Sequence, residues 1–428
     1  MIRFIYLLLL IFTSVTQAAS LSATEKKITS YVIASQAEQL SLLQALVNVN
    51  SGTLNIAGVN KVGEMLQAEF DRIGFHTVFV ALPQNMNRGD TLIATRTGHS
   101  GKRLLLIGHL DTVYPADSPF QRAVMHKNTM TGPGVIDDKG GDVVILYALK
   151  ALHEAGVLDD VSITVVLTGD EEDSGKPTSI SRLPLIEAAR HSDIALDFEN
   201  GIGNTATIGR RGVSMWQLNT RGYEAHSSQI FQKQSGDGAI YELSRLLNTI
   251  RMQLSQQKYV SFNPALVLGG TMVQYEKNKS GGTALGKNNV IAKSAIATGD
   301  FRFMTPQQKI QIEKKVKAIV KQHLPGTTAS ISFQDGIPAM SPTPNNLKLL
   351  KEYSVVSQDL GFGKVQTLDA GLRGAGDISY VAAIVQASLA GLGPMGDDAH
   401  SVKEKLEIPS LSMQTQRAAV LIYRLTSR

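Results

Sequence analysis

Three short apolar runs, each stopped by acidic residues or histidine, organise this chain. They are Leu104 to Ile107, followed by His109 and Asp111; Ile163 to Leu167, followed by Asp170, Glu171 and Glu172; and Ile194 to Leu196, followed by Asp197 and Glu199. Unbroken runs of this kind predict strands buried on both faces, the habit of a parallel sheet covered by helices. Between the first two, Val143, Leu146, Tyr147, Leu149 and Leu152 recur near helical spacing over Asp142 to Ala155, with Gly156 as a stop. Strand, helix, strand predicts a right-handed crossover. Ligands gather at the carboxyl ends of such strands, so the histidine and acids that end the runs are expected to meet in one site.

The pattern changes near Arg210 to Gly212. Val213 to Leu218 and Ala295 to Phe303 predict strands, while Asp237 to Leu254 and Gln307 to Leu324 predict amphipathic helices, the second ending before Pro325. Helix-like spacing resumes over Asn346 to Leu360, Ile378 to Ile384 and Leu411 to Leu425. The expected fold class is therefore α/β: a layered catalytic domain with a mostly parallel sheet, in two parts over 20–210 and 331–428, interrupted by a smaller α+β lid or dimerisation domain over 211–330.

Composition narrows the chemistry. The 428 residues are 43% hydrophobic and 18% charged, which suits a large core and excludes wholesale disorder. The net charge of +5 is spread along the chain without a run of five or six like charges, so no nucleic-acid partner is expected. With no Cys, any metal must sit on His, Asp and Glu. At the start, Arg3, the apolar run Phe4 to Phe12 and the small residues ending at Ala18 and Ala19 predict a signal peptide over 1–19 and a secreted or periplasmic protein. That run falls short of the roughly 20 residues that span a bilayer, and no membrane association is expected after cleavage.

Candidate chemistry lies where the runs stop. In Gly108-His109-Leu-Asp111, a carboxylate two residues from a histidine suits a metal ligand held in one tautomer. Gly132 to Gly141 is a glycine-rich turn that carries Asp137 to the start of a helix, and its adjacent acids argue against a phosphate there. Asp170 to Asp173 crowds four carboxylates behind a buried strand, which is costly unless a cation neutralises them or one stays protonated. The GxGxxG string over Gly391 to Gly396 is followed by acids and lacks a helix start, and neither HExxH nor GxSxG is present.

His109-x-Asp111, Asp137 in Gly-x-Gly-x-x-Asp-x-Lys-Gly, the Glu171-Glu172 pair, Glu199, and His400 in Asp398-Ala-His-Ser together resemble the ordered motifs of the M20 zinc metallopeptidases, with the glutamate carboxypeptidase branch closest in appearance. The resemblance implies two Zn2+ ions per subunit. Asp137 would bridge them, His109 and Glu172 would complete one site, and Glu199 and His400 the other. Glu171 would be the general base acting on a water shared by the ions, and Asp111 the partner of His109. In the insert, His226 resembles a lid histidine, and Asn289 and Arg302 resemble lid residues that contact substrate. Read without the resemblance, His226 is a surface histidine in a turn and Arg302 a partner of Asp300 on one strand face. Arg210 and Arg211 are rival candidates for a substrate carboxylate. The sequence departs from the family at Asn200 and Ala292, where relatives tend to carry Pro.

The expected activity is hydrolysis of a C-terminal amide bond in a small peptide or N-acyl amino acid, with homodimerisation through the lid. An aminopeptidase or amidohydrolase on the same scaffold and a secreted binding protein without turnover are the other readings.

Overall fold

The computed structural model describes residues 21–427, so the leader expected over 1–19 lies outside the described residues. In chain order, β1 (His76–Val80), β2 (Thr91–Arg96), β3 (Ser100–His109), β4 (Val161–Thr168) and β5 (Ile194–Asp197) join an edge strand, Ala387–Leu389, in one sheet. The order across that sheet is β1, β2, β4, β3, β5, then the edge strand. β2 is antiparallel to both of its neighbours, while β4, β3, β5 and the edge strand run parallel.

Burial on both faces explains why these segments are apolar without a break. Leu104 and Leu106 point into the core that contains Val143, Leu146 and Leu149 of the helix Lys139–Ala155 and Ala418, Leu421 and Ile422 of the helix Ile408–Thr426. Leu105 and Ile107, one step out of phase, point into a second core with Leu185, Ala189, Ile378 and Val381. Helices therefore cover both sides of a mostly parallel sheet. The helix Lys139–Ala155 ends at Gly156, whose φ of 73° is the left-handed turn that glycine adopts without strain.

A second sheet contains β6 (Gly212–Arg221), β7 (Ser261–Gly270), β8 (Ser294–Phe303) and β9 (Thr328–Asp335), in the order β7, β8, β6, β9 and antiparallel throughout. Leu243, Leu246 and Ile250 of the helix Ala239–Leu254 and Ile312 and Val316 of the helix Pro306–Val320 pack on Trp216, Leu218, Phe301 and Phe303. The chain enters and leaves this unit side by side. Arg210 and Met340 exchange two backbone hydrogen bonds, of 2.9 and 3.0 Å.

Two local expectations change. Instead of a helix over Ile378 to Ile384, a single turn spans Ile378–Val381, because the backbone N–H of Gln386 already bonds the Asp193 carbonyl at 2.9 Å and draws the chain into the edge strand. A hairpin of Met272–Glu276 against Gly281–Leu285 extends from the second sheet, and no strong alternation in the sequence announces it.

Strand register builds the site. His109 lies opposite Thr168, and Ile107 opposite Asp197. The residues that follow β3, β4 and β5 therefore leave the sheet at one level, and the turn before the helix Lys139–Ala155 meets them there.

Candidate metal centre

His109, Asp137 and Glu172 each offer a ligand atom, and these atoms all lie within 4.8 Å of one another. His109 Nε2 is 3.1 Å from Asp137 Oδ1, and His400 Nε2 is 3.1 Å from Asp137 Oδ2. The two oxygens of one carboxylate thus face two different imidazoles. His400 Nε2 also lies 3.2 Å from Glu172 Oε2.

Asp111 fixes this arrangement from behind. It is fully buried, with Oδ1 3.3 Å from His109 Nδ1. Its oxygens accept the backbone N–H of Glu171 at 2.9 Å, the backbone N–H of Glu172 at 3.1 Å and the Thr53 hydroxyl at 2.6 Å. One carboxylate therefore orients the imidazole so that Nε2 faces Asp137 and also pins the backbone of both glutamates. Burial opposes its charge, but the hydrogen bonds from His109, Thr53 and the Glu171 backbone, with the charge of His109, together outweigh burial and hold the Asp111 carboxyl below its ordinary range.

A buried cation locks the same loop on its other side. The Arg182 guanidinium pairs with Asp170 Oδ1 at 2.5 Å and Asp377 Oδ1 at 2.6 Å, and it donates to the Asp170 carbonyl at 2.9 Å. Glu171 follows directly. Burial, then the charges of Glu199, Asp377 and Glu172, push its carboxyl well above the ordinary range, which suits a group that must accept a proton.

The centre attracts positive charge. Hydrogen bonds donated to Asp137 and Glu172 push His400 up to about 11, and His109 is raised as well because its hydrogen bonds to Asp111 and Asp137, with the charges of Asp138 and Glu171, together outweigh burial. Glu172 Oε1 is buried with no hydrogen-bond partner among the described residues. Imidazole nitrogen and carboxylate oxygen are the donor types that zinc accepts in a Cys-free protein, and an orphaned, buried carboxylate oxygen is the group a divalent cation would satisfy. The residues fit such an ion.

The sequence grouped Glu199 with His400, and the structure differs. Glu199 Oε2 is held by Arg210 Nη1 at 2.7 Å, and the same nitrogen lies 3.2 Å from Asp197 Oδ2. His400 stands over Asp137 and Glu172 because its segment is tied to their side of the site. Glu404, four residues on, is fully buried and accepts the backbone N–H groups of Gly134 at 3.1 Å, Ile136 at 3.0 Å and Asp137 at 3.2 Å, together with the Tyr114 hydroxyl at 2.9 Å. Tyr114 Oη also donates to the Ser401 carbonyl at 2.7 Å. The peptide bond Asp137–Asp138 within the turn is cis.

The lid candidates make their contacts within the unit of the second sheet. His226 Nδ1 lies 2.8 Å from the Ser228 hydroxyl, and the backbone N–H of Ser227 donates to the Asn289 carbonyl at 2.9 Å, so His226 and Asn289 are neighbours on one exposed edge. Arg302 Nε donates to Asp300 Oδ2 at 3.0 Å, as two residues on one strand face can. Arg210 is buried and donates to the carbonyls of Gly374 and Ala375 at 2.8 and 3.0 Å, so its fork is fully committed within the protein.

Residues 105–424 match the family model of Peptidase family M20/M25/M40. Carboxypeptidase G2 from Pseudomonas sp. (strain RS-16) is 29% identical over 394 residues, covering 90% of this chain and 88% of the relative. A succinyl-diaminopimelate desuccinylase from Gluconacetobacter diazotrophicus is 24% identical over 400 residues, covering 90% and 96%. Among solved structures, aminopeptidase PepT from Bacillus cereus superposes with a TM-score of 0.71 at 15% identity, covering 91% of this chain and 98% of that one. An M20 family metallo-carboxypeptidase from Sulfolobus solfataricus gives 0.61 at 15% identity, covering 91% and 99%.

Proposed function

The chain belongs to Peptidase family M20/M25/M40, and on that premise we propose that it is an exported di-zinc carboxypeptidase that releases the C-terminal residue of a small peptide or an N-acyl amino acid. That it is a hydrolase of the metallopeptidase kind follows from the family. The observation that carries the finer reading is the carboxylate of Asp137, with His109 at one oxygen and His400 at the other. A carboxylate bracketed in this way can be shared by two cations.

His109, Asp137, Glu172, Glu199 and His400 would hold the ions. When bound, zinc supplies Lewis acidity, polarising the scissile carbonyl and making water acidic near neutral pH. Glu171 has the role of general base: it takes the proton of the attacking water and delivers it to the departing amine nitrogen, so the free amino acid leaves uncharged at nitrogen until it meets solvent. Asp111 and Arg182 hold the Glu171 backbone in place during that transfer. Arg302 and Asn289, on the lid, would receive the substrate carboxylate and its flanking amide, since a planar guanidinium pairs with a carboxylate through two hydrogen bonds. His226, exposed on the lid edge, would donate to the carbonyl oxygen of a substrate bound in the partner of a homodimer. Export rests on the leader over 1–19.

The test is a panel of dipeptides and N-acyl amino acids, each with its C-terminal carboxylate free or amidated, assayed with zinc-loaded protein. The carboxypeptidase reading expects cleavage of the free acids and at least a hundredfold loss on amidation. Equal cleavage of both forms, together with a requirement for a free amino terminus, would replace it with an aminopeptidase.

A further inference from the structure

Beside Glu172 the surface opens into a pocket of about 500 Å³, lined by Thr53, Leu54, Val113, Pro115 and Ala116, with Glu172 and Asp173 at its acidic edge. Leu54 and Val113 are 64% and 37% exposed, so they present apolar surface to solvent directly alongside a candidate ligand. Such surface is lost from water when a ligand covers it.

The walls of this pocket are built onto the site. Gly52 pairs with Thr112 in a parallel bridge, the backbone N–H of Thr53 donates to the Thr112 carbonyl at 3.1 Å, and that of Thr112 donates to the Ser51 carbonyl at 2.9 Å. A Cβ at position 52 would lie 2.2 Å from the Tyr114 carbonyl oxygen, so only glycine allows the two segments to approach this closely. The Thr53 hydroxyl then binds Asp111, which holds His109. The pocket is thereby fixed in register with the reacting centre, as a specificity pocket must be.

Its charge selects the occupant. No Lys, Arg or His lines it, so its wall offers no partner to an anion. The nearby cation, Arg88, is already paired with Asp173 at 2.5 Å. A substrate carboxylate is therefore unwelcome here. We infer that this pocket receives the uncharged, apolar acyl group of an N-acyl amino acid, and that Leu54 and Val113 set that preference. The inference rests on the proposed hydrolysis of such substrates and names their acyl class. It also separates this chain from an enzyme for anionic acyl groups such as succinyl.

Binding and turnover are measured separately, so that the two ideas fail separately. Zinc-loaded Glu171→Gln protein is titrated calorimetrically with the acetyl, hexanoyl and succinyl derivatives of glutamate and of alanine, alone and combined with Val113→Asp or Leu54→Asp. Each buried methylene is worth about fourfold in affinity. Hexanoyl derivatives should bind at least tenfold more tightly than acetyl or succinyl ones. Either wall substitution should bring hexanoyl within threefold of acetyl. Equal affinity for acetyl and hexanoyl, tightest binding of succinyl, no binding at all, or a hexanoyl preference that survives both substitutions would each overturn the pocket assignment. A hexanoyl preference in binding, with no turnover of any derivative by the unmodified zinc enzyme, upholds the pocket and overturns the proposed reaction.

Discussion

Glu404 Oε1 accepts the backbone N–H of Asp137 at 3.2 Å, across 267 residues of sequence. Through this contact, and those to Gly134 and Ile136, the segment that carries His400 is fastened to the turn that carries Asp137. Glu404 is thus a positioning residue for the two candidate ligands, Asp137 and His400.

Glu404→Ala removes every side-chain acceptor from that turn, so zinc affinity, read by chelator competition, should fall about 10- to 100-fold. Glu404→Gln keeps an acceptor for Ile136 and Asp137 but can turn its amide toward the N–H of Gly134, and it should recover part of the loss. A cobalt-substituted spectrum unchanged in both variants would leave Glu404 with a merely structural role.

Glu171→Gln should retain bound zinc and lose about 10² to 10⁴ in kcat, because a base outside the ligand set affects proton transfer and not ligation. Metal analysis beside steady-state kinetics checks this. Near-native kcat with full metal would remove Glu171 from the mechanism.

His226 can be tested in trans. Glu171→Gln and His226→Ala proteins, each nearly inactive, are co-refolded. If sites are shared across a dimer, half the random pairs are mixed and each regains one intact site, so activity should return to roughly a quarter of the unmodified level. No recovery, with light scattering that establishes mixed dimers, would place His226 in its own subunit's chemistry or in none.

The pairing of Glu25 with Arg424 gives a pH signature. Arg424 Nε lies 2.6 Å from Glu25 Oε1, joining the helices Ala23–Ala34 and Ile408–Thr426. Burial raises the Glu25 carboxyl, but the hydrogen bonds from Arg424 and from the Ser22 backbone and hydroxyl, with the charge of Arg424, together outweigh it, and the folded-state value lies below 4.5. A depressed carboxyl stabilises the fold above its unfolded value and loses that contribution as pH falls through the folded one. Glu25→Gln should therefore cost about 1 kcal/mol at pH 7 and less at pH 3, measured by denaturant unfolding. An equal cost at both values would assign the effect to packing.

The sequence revealed most where one residue's surroundings are local. Leu104 to Ile107 could be read as a doubly buried strand because consecutive side chains enter different cores, leaving no polar face to interrupt the run. The stop after each run was equally legible, and it yielded His109, Glu171 and Glu172. Glu404 was invisible because its four hydrogen bonds all come from residues more than 260 positions away. The side of the site taken by His400 was lost for the same reason, since it depends on that anchor. Arg210 looked available for substrate because a sequence shows charge without showing burial.

The central claim is that Asp137 joins two cations into one catalytic centre. Zinc titration of the metal-free protein, with bound metal and turnover followed together, tests it most directly. The account predicts two equivalents bound per chain with turnover appearing as they bind, and loss of both metal and turnover in Asp137→Ala. Full turnover in the metal-free protein, or an Asp137→Ala variant that still binds two zinc ions and hydrolyses substrate, would contradict it.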